Sequence, residues 1–390
     1  MIVRQFLQWV RNAPAGERAE ATGALARAYL YSDLSADDRA AAEGAMLMLL
    51  DDSWPLVRRA LADALAPSPS APPAVVYALA GDQPQIAAPV LALSPLFIDA
   101  DLVDAVATGC SAVQAAIASR AALPRSVAAA IAEVGSAEAC LVLLENSDAD
   151  IAPFSIDRIV ERHGHLAAIR EPLLAREDLS ASTRQKLVTK LSETLAGFVA
   201  GREWLEVDHA LRVAREACEK VTIALAAETP EGEVRPLIRH LRESGQLTAG
   251  LILRALLSGN VVLFEEALAE LADMPVARVS GLVNDSGFGG LRALFDKAGL
   301  PALTYPAFKE AIEAMREGGF TSEPGGAARL KRRMIERVLT RCEDEEFGEL
   351  APLVTLLHRF ATEAAREEAR LFCDELAGCD FDADQQLVAA

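Results

Sequence analysis

Aromatic residues make up only 5% of this 390-residue chain. Sheet proteins enrich aromatic and β-branched residues, so the scarcity argues against one. No uninterrupted apolar run reaches the roughly 18 residues of a membrane span, and none is expected. The opening MIVRQFLQWVRNAPAG is charged at Arg4 and Arg11 and has no long apolar stretch, which excludes a secretory signal. Basic residues are in deficit, 38 Lys and Arg against 57 Asp and Glu, for a net charge of −19. A field of that sign repels phosphate backbones, so no nucleic-acid partner is expected. None of the six cysteines forms a CxxC pair. Most sit in helical apolar patterns, as buried free thiols do, so the chain reads as reduced and cytoplasmic.

The motifs of common chemistries are also missing. There is no GxSxG elbow, no GxxxxGK[ST] loop and no His-Glu dipeptide. The first two absences remove a nucleophile on a strand-to-helix turn and a phosphate-cradling loop. The third removes the repeated ligand pair of iron hydroxylases built on helical repeats. No cofactor or metal is expected, and the chain is read as non-enzymatic.

What is present is a repeat. Hydrophobic residues reach 52%, mostly alanine and leucine, which are good helix formers. The segments DDSWPLVRRALADAL (51–65) and GDQPQIAAPVLALS (81–94) begin 30 residues apart, counting Asp52 to Asp82. GCSAVQAAIASR (109–120) and GSAEACLVLLEN (135–146) follow, with Gly109 and Gly135 26 apart. Between them lie partner helices opened by Ser35, Ile98, Pro124 or Ser180; serine suits an N-cap and proline a first turn. Two short helices per 26 to 30 residues predict stacked helical hairpins, which bury their apolar faces only against neighbours. Val3, Phe6, Leu7 and Val10 share one face of a first helix over 2–10, read as a cap on the stack and alternatively as a surface-lying membrane helix.

The segment 203–228 reads as one longer helix, bounded by Gly201 and by TPEGEVRP (229–236), the best boundary candidate. Helical hairpins resume from 247 to 319, FTSEPGG (320–326) reads as a joint, two helices follow near 327–342 and 346–377, and the tail frays. Three regions are therefore expected: 1–200 with capping helix and repeats, 201–320 as a second helical-repeat half, and 321–390 with C-terminal helices.

Asp52, Val57 and Arg58 resemble the HEAT repeat signature, in which the aspartate and arginine tie neighbouring turns together. Asp82 departs from it, being followed by Ile86 and Ala87 with no arginine. The strings AIASRAALP (116–124), LLENSDADI (143–151), LLAREDLS (173–180), LTAGLILRALLSG (247–259) and GLRALFDKAGLP (290–301) resemble a family of uncharacterised alphaproteobacterial proteins, a domain of unknown function. That resemblance covers roughly residues 50 to 320. It implies a bacterial cytoplasmic helical-repeat protein and carries over no functional residue. The expected fold is an all-α solenoid of HEAT-like hairpins.

Several strings carry side chains that could form sites. Glu161, His163 and His165 (ERHGH) could ligate a transition metal. Two histidines separated by one residue point apart on a helix, however, and Gly164 marks a helix end. NDSGFGG (284–290) could cradle phosphate at a helix start, but Arg292 replaces the third glycine and no strand precedes it. A tight interhelical turn is the plainer reading. Arg120, Asn146 and Arg176 end successive repeat helices, where arginine complements the helix dipole and asparagine tolerates the left-handed cap; the alternative is a ligand-facing row. The sharpest feature is ARLKRRMIERVLTR (328–341), with Arg329, Lys331, Arg332, Arg333, Arg337 and Arg341 against Glu336 alone. It reads either as a solvated face neutralised by the following EDEEFGE (343–349), or as a docking helix for an acidic partner. The function expected is a protein-interaction scaffold binding another protein or peptide, with self-association possible. The alternatives are an enzyme with an unrecognised site between the halves, or a regulatory module docking on a membrane or signalling protein.

Overall fold

A computed structural model describes residues 9–10, 12–176, 178–285, 288–318, 326–343, 354–366, 368–370 and 373. The expected first helix falls outside these residues apart from Trp9 and Val10, as do the joint up to 325, EDEEFGE beyond Glu343 and the tail beyond Cys373. Every regular element described is helical, with no strand among the described residues, so the chain has an all-α helical-repeat fold. It divides into two compact units, Met1–Leu179 and Ser180–Ala390. Among the described residues no helix is long and apolar enough to cross a membrane.

The first unit holds α1 (Ala15–Tyr31), α2 (Ala36–Leu49), α3 (Pro55–Leu65), α4 (Pro73–Ala80), α5 (Pro84–Leu93), α6 (Asp99–Thr108), α7 (Ser111–Ala118), α8 (Arg125–Val134), α9 (Ala137–Glu145), α10 (Pro153–His163) and α11 (Ala167–Leu174). Their starts follow the sequence. Pro55, Pro73, Pro84 and Pro153 stand at first positions, where the missing N–H has no helical partner to lose. Ser35 caps α2 by accepting from the Asp38 N–H at 3.1 Å. Pro124 differs from expectation by one place, standing at the N-cap of α8.

Each odd-numbered helix from α1 to α11 packs on the next odd-numbered one, and in the second layer α6 packs on α8 and α8 on α10. Leu61, Leu65, Ile117 and Ile131 are fully buried between them; burying such a side chain stabilises by about 1.5–3 kcal/mol. The glycine spacing has a steric cause. Gly135 and Gly164 directly follow α8 and α10, and a Cβ at either would lie 2.4 Å from the carbonyl oxygen of Ile131 or Val160.

The second unit begins with two long helices, α12 (Ala181–Gly201) and α13 (Val207–Glu228), which pair as a hairpin. It continues with α14 (Glu231–Glu243), α15 (Ala249–Leu257), α16 (Val261–Ala272), α17 (Val276–Asn284), α18 (Phe288–Lys297), α19 (Tyr305–Gly318), α20 (Gly326–Glu343) and α21 over 354–366. The division at Leu179 places α12 with α13, ahead of the Gly201 boundary read from the sequence. TPEGEVRP does not interrupt the helices for long. Pro230 is the N-cap of α14 and Pro236 lies inside it, at the loss of one backbone hydrogen bond.

Phe264, Phe295 and Phe308 centre the main core of this unit, with ring centroids of Phe295 and Phe308 4.8 Å apart. Met334, Ile335 and Val338 of α20 and Leu357, Phe360 and Ala364 of α21 belong to the same core. The C-terminal helices are therefore built into the second unit's core. Gly259 and Gly299 adopt φ of 79° and 68° just past α15 and α18, a conformation free of penalty only for glycine.

Candidate functional site

In the first unit polar side chains tie neighbouring hairpins together. Arg18 holds both Asp52 carboxylate oxygens at 2.9 Å. Arg58 reaches both oxygens of Asp82 and the Asp52 carbonyl. Burial pushes the Asp52 and Asp82 carboxyls up, but hydrogen bonds from the arginines and from the Trp54 and Gln83 N–H groups outweigh it. Both end below the ordinary aspartate value.

Further along, the ties run to open helix ends. Arg120 donates to the Leu91 and Ser94 carbonyls that end α5. Asn146 donates to the Ala118 and Arg120 carbonyls at 2.8 Å. Arg162 donates to the Ala132 and Gly135 carbonyls at 2.8 Å, and a His163 ring nitrogen lies 3.3 Å from the latter. Arg120 and Asn146 thus complement the helix behind, where the sequence reading had them serving their own. Arg176 pairs instead with Asp178 at 2.8 Å. In ERHGH, Glu161 pairs with Arg158 at 3.1 Å, burial lowers the His163 pKa, and His165 is exposed. Among the described residues no three His, Cys, Asp or Glu side chains gather as a metal set.

In NDSGFGG, Ser286 and Gly287 lie outside the described residues. Gly290 lets α18 approach α17, since a Cβ there would lie 2.8 Å from Leu282 Cδ2.

The structure places the predicted basic helix as α20. Arg332 pairs with Glu336 and with Glu368 at 2.8 Å each. Arg337 faces Glu310, Glu313 and Glu317 of α19, and its hydrogen bond lowers the Glu317 pKa. Arg333 is exposed, and the side chains of Arg329 and Arg341 lie outside the described residues. Lys331 lines a groove with Lys220, Arg254, Asn260 and Glu363. The acids described against α20 thus come chiefly from α19 and Glu368. Such exposed pairs contribute little stability.

A second basic feature adjoins it. Arg254 of α15 has a side chain only 8% exposed. Its guanidinium stacks on Phe360 at 4.1 Å, pairs with Glu363 at 2.8 Å and stands 3.7 Å from Glu219. Its Nε is buried and makes no hydrogen bond among the described residues. Lys220 also pairs with Glu363 at 2.8 Å, and Arg359 pairs with Glu216. Burial raises both buried carboxyls. For Glu363, Lys220 and Arg254 reverse the shift and bring it below the ordinary value, whereas Glu219 stays raised. Beside this cluster opens a cleft of about 890 Å³. His358, Thr362, Arg366 and Arg370 repeat at helical spacing along α21 and the residues after it, and all line the cleft. Interleaved glutamates hid this basic ridge in the sequence.

The end of the α12–α13 hairpin is apolar and exposed. Phe198 is 50% and Trp204 66% exposed, with Leu195, Val207 and Leu211 exposed beside them. The two rings meet edge to face at 5.9 Å, and Arg202 lies over Phe198 at 5.0 Å.

These features define an all-α helical-repeat protein. The chain belongs to the family described as "Uncharacterised protein conserved in bacteria (DUF2336)", whose model matches residues 86–347. No curated protein and no solved structure matches it. The matched region includes Lys220 and Arg254 and ends before α21.

Proposed function

We propose that the chain is a non-catalytic interaction scaffold, a solenoid of HEAT-like hairpins whose partner is another polypeptide. The observation that carries this reading is the exposed apolar end of the α12–α13 hairpin. Large contiguous apolar surface is uncommon on a monomer and marks protein contacts. Trp, Phe and Arg together are also the side chains that anchor interfaces. The HEAT-like assignment is supported by the Asp–Arg ties, since Arg18–Asp52 and Arg58–Asp82 link successive hairpins as that signature does. Non-catalytic use is supported by the polar side chains at helix ends, which bond backbone carbonyls.

A photo-crosslinking residue at position 204, used in the native cell, tests the reading. One recurrent polypeptide should be captured, and F198S should abolish the capture without changing the circular dichroism. Capture that F198S leaves intact, or no capture above background, would remove the hairpin end as a docking surface.

A further inference from the structure

We propose that the cleft between α13, α15 and α21 binds a small organic phosphate carrying at least two negative charges. The first argument is charge. Lys220, Arg254, His358, Arg359, Arg366 and Arg370 line the cleft with two carboxylates among the described lining residues, Glu216 and Glu363, while Glu219 stands 3.7 Å from Arg254. In a chain of net charge −19 this is a local inversion, and both lining carboxylates are already engaged. Glu363 accepts from Lys220 and Arg254, and Glu216 from Arg359. Arg366 and Arg370 are exposed and make no ion pair among the described residues, so positive charge is left over at the mouth.

The second argument is construction. Arg254 is buried at the floor and held by Phe360 and Glu363, while its Nε lacks a hydrogen bond among the described residues. Burying a guanidinium is unfavourable unless its charge is compensated. Here Glu363 accepts from one terminal nitrogen at 2.8 Å, and Glu219 faces the Nε at 3.7 Å, too far for a hydrogen bond. The guanidinium fork matches phosphate oxygens two at a time, and several forks converging from different helices suit a multiply charged group.

The third argument is size. A cleft of about 890 Å³ falls in the range that encloses small molecules, roughly 300–1,000 Å³. The cations come from three helices around one opening. Lys220 and Arg254 face the α21 ridge from two other helices, and this enclosure favours a compact polyanion over an extended acidic peptide.

Calorimetric titration of the full chain with inorganic pyrophosphate tests the proposal, with citrate and a hexaglutamate peptide as competing anions. The comparison variant is R366E/R370E, whose positions are exposed and outside the core. Pyrophosphate should bind, weaken as salt is raised, and bind the variant at least about tenfold more weakly. The variant should keep the helical spectrum and melting temperature. Absence of pyrophosphate binding, or equal binding by the variant, would overturn the site. Citrate binding as tight as pyrophosphate would overturn the phosphate class, and tighter binding of hexaglutamate would replace the ligand by an acidic peptide. Vesicles with phosphate-rich headgroups distinguish a lipid source from a free one, since only a lipid source requires co-sedimentation. The scaffold reading is probed at position 204, so either result can fail alone.

Discussion

Arg254 and Glu363 are 109 positions apart in the chain and meet at 2.8 Å across the floor of a cleft. Glu219 stands on the other side of the same guanidinium, at 3.7 Å. One cation thus faces two carboxyls with opposite displacements, Glu363 lowered and Glu219 raised.

That asymmetry gives the first prediction. Arg254→Ala leaves two carboxyls without their buried partner and should lower stability by about 3 kcal/mol in urea unfolding. Glu363→Gln should lower it at neutral pH, because a carboxyl depressed in the folded state stabilises above its unfolded pKa. Glu219→Gln should be neutral or stabilising at pH 7, with the gain disappearing near pH 4. A raised folded pKa means that the charged form opposes folding. Equal destabilisation by both glutamine variants at pH 7 would contradict the assignment.

Asn146 carries the second prediction. Its amide nitrogen serves two carbonyls, those of Ala118 and Arg120. Asn146→Ala should lower stability by about 1–3 kcal/mol, since the acceptors are left in a half-buried place. Asn146→Asp should be no better, because a carboxylate donates nothing to a carbonyl. Rescue by aspartate in thermal unfolding would show that only the shape of the side chain matters.

Acid is the third lever. Asp52 and Asp82 both titrate below the ordinary value of 3.8 in the folded chain. Their contribution is complete above about pH 4 and is lost as pH falls through the lower folded values. D52N/D82N should therefore be less stable than the parent at pH 6. The difference should shrink on acidification below about pH 4. A constant difference across that range, followed by circular dichroism, would mean that the arginine ties do not govern these carboxyls.

The all-helical repeat was legible because its signals are local. Pro55, Pro84 and Ser35 mark helix starts within a few residues, and Gly135 marks a position where a Cβ has no room. The pairing of α12 with α13 was not, because no local signal reports it. The basic run of α20 was visible as a string. Its acids on α19 were separated from it by sequence and joined only by packing. The cleft was hidden more deeply. Arg254 sits in the apolar stretch AGLILRALL, where nothing local reports what it faces. Its partner Glu363 lies in a mixed-charge helix that gives no sign of what it faces. Arg18 was missed for the same reason, since its acceptor Asp52 belongs to the next hairpin.

The backward reach of Arg120, Asn146 and Arg162 has a consequence for how the first unit opens. Each side chain seals the helix end one hairpin behind it and no further. Cooperativity is then set seam by seam, between nearest neighbours, and not by one indivisible core. Amide exchange in this unit should reflect that arrangement. Breaking the Asn146 seam should speed exchange around Ala118 and Arg120 while distant hairpins keep their protection, so that opening proceeds in steps the length of one repeat.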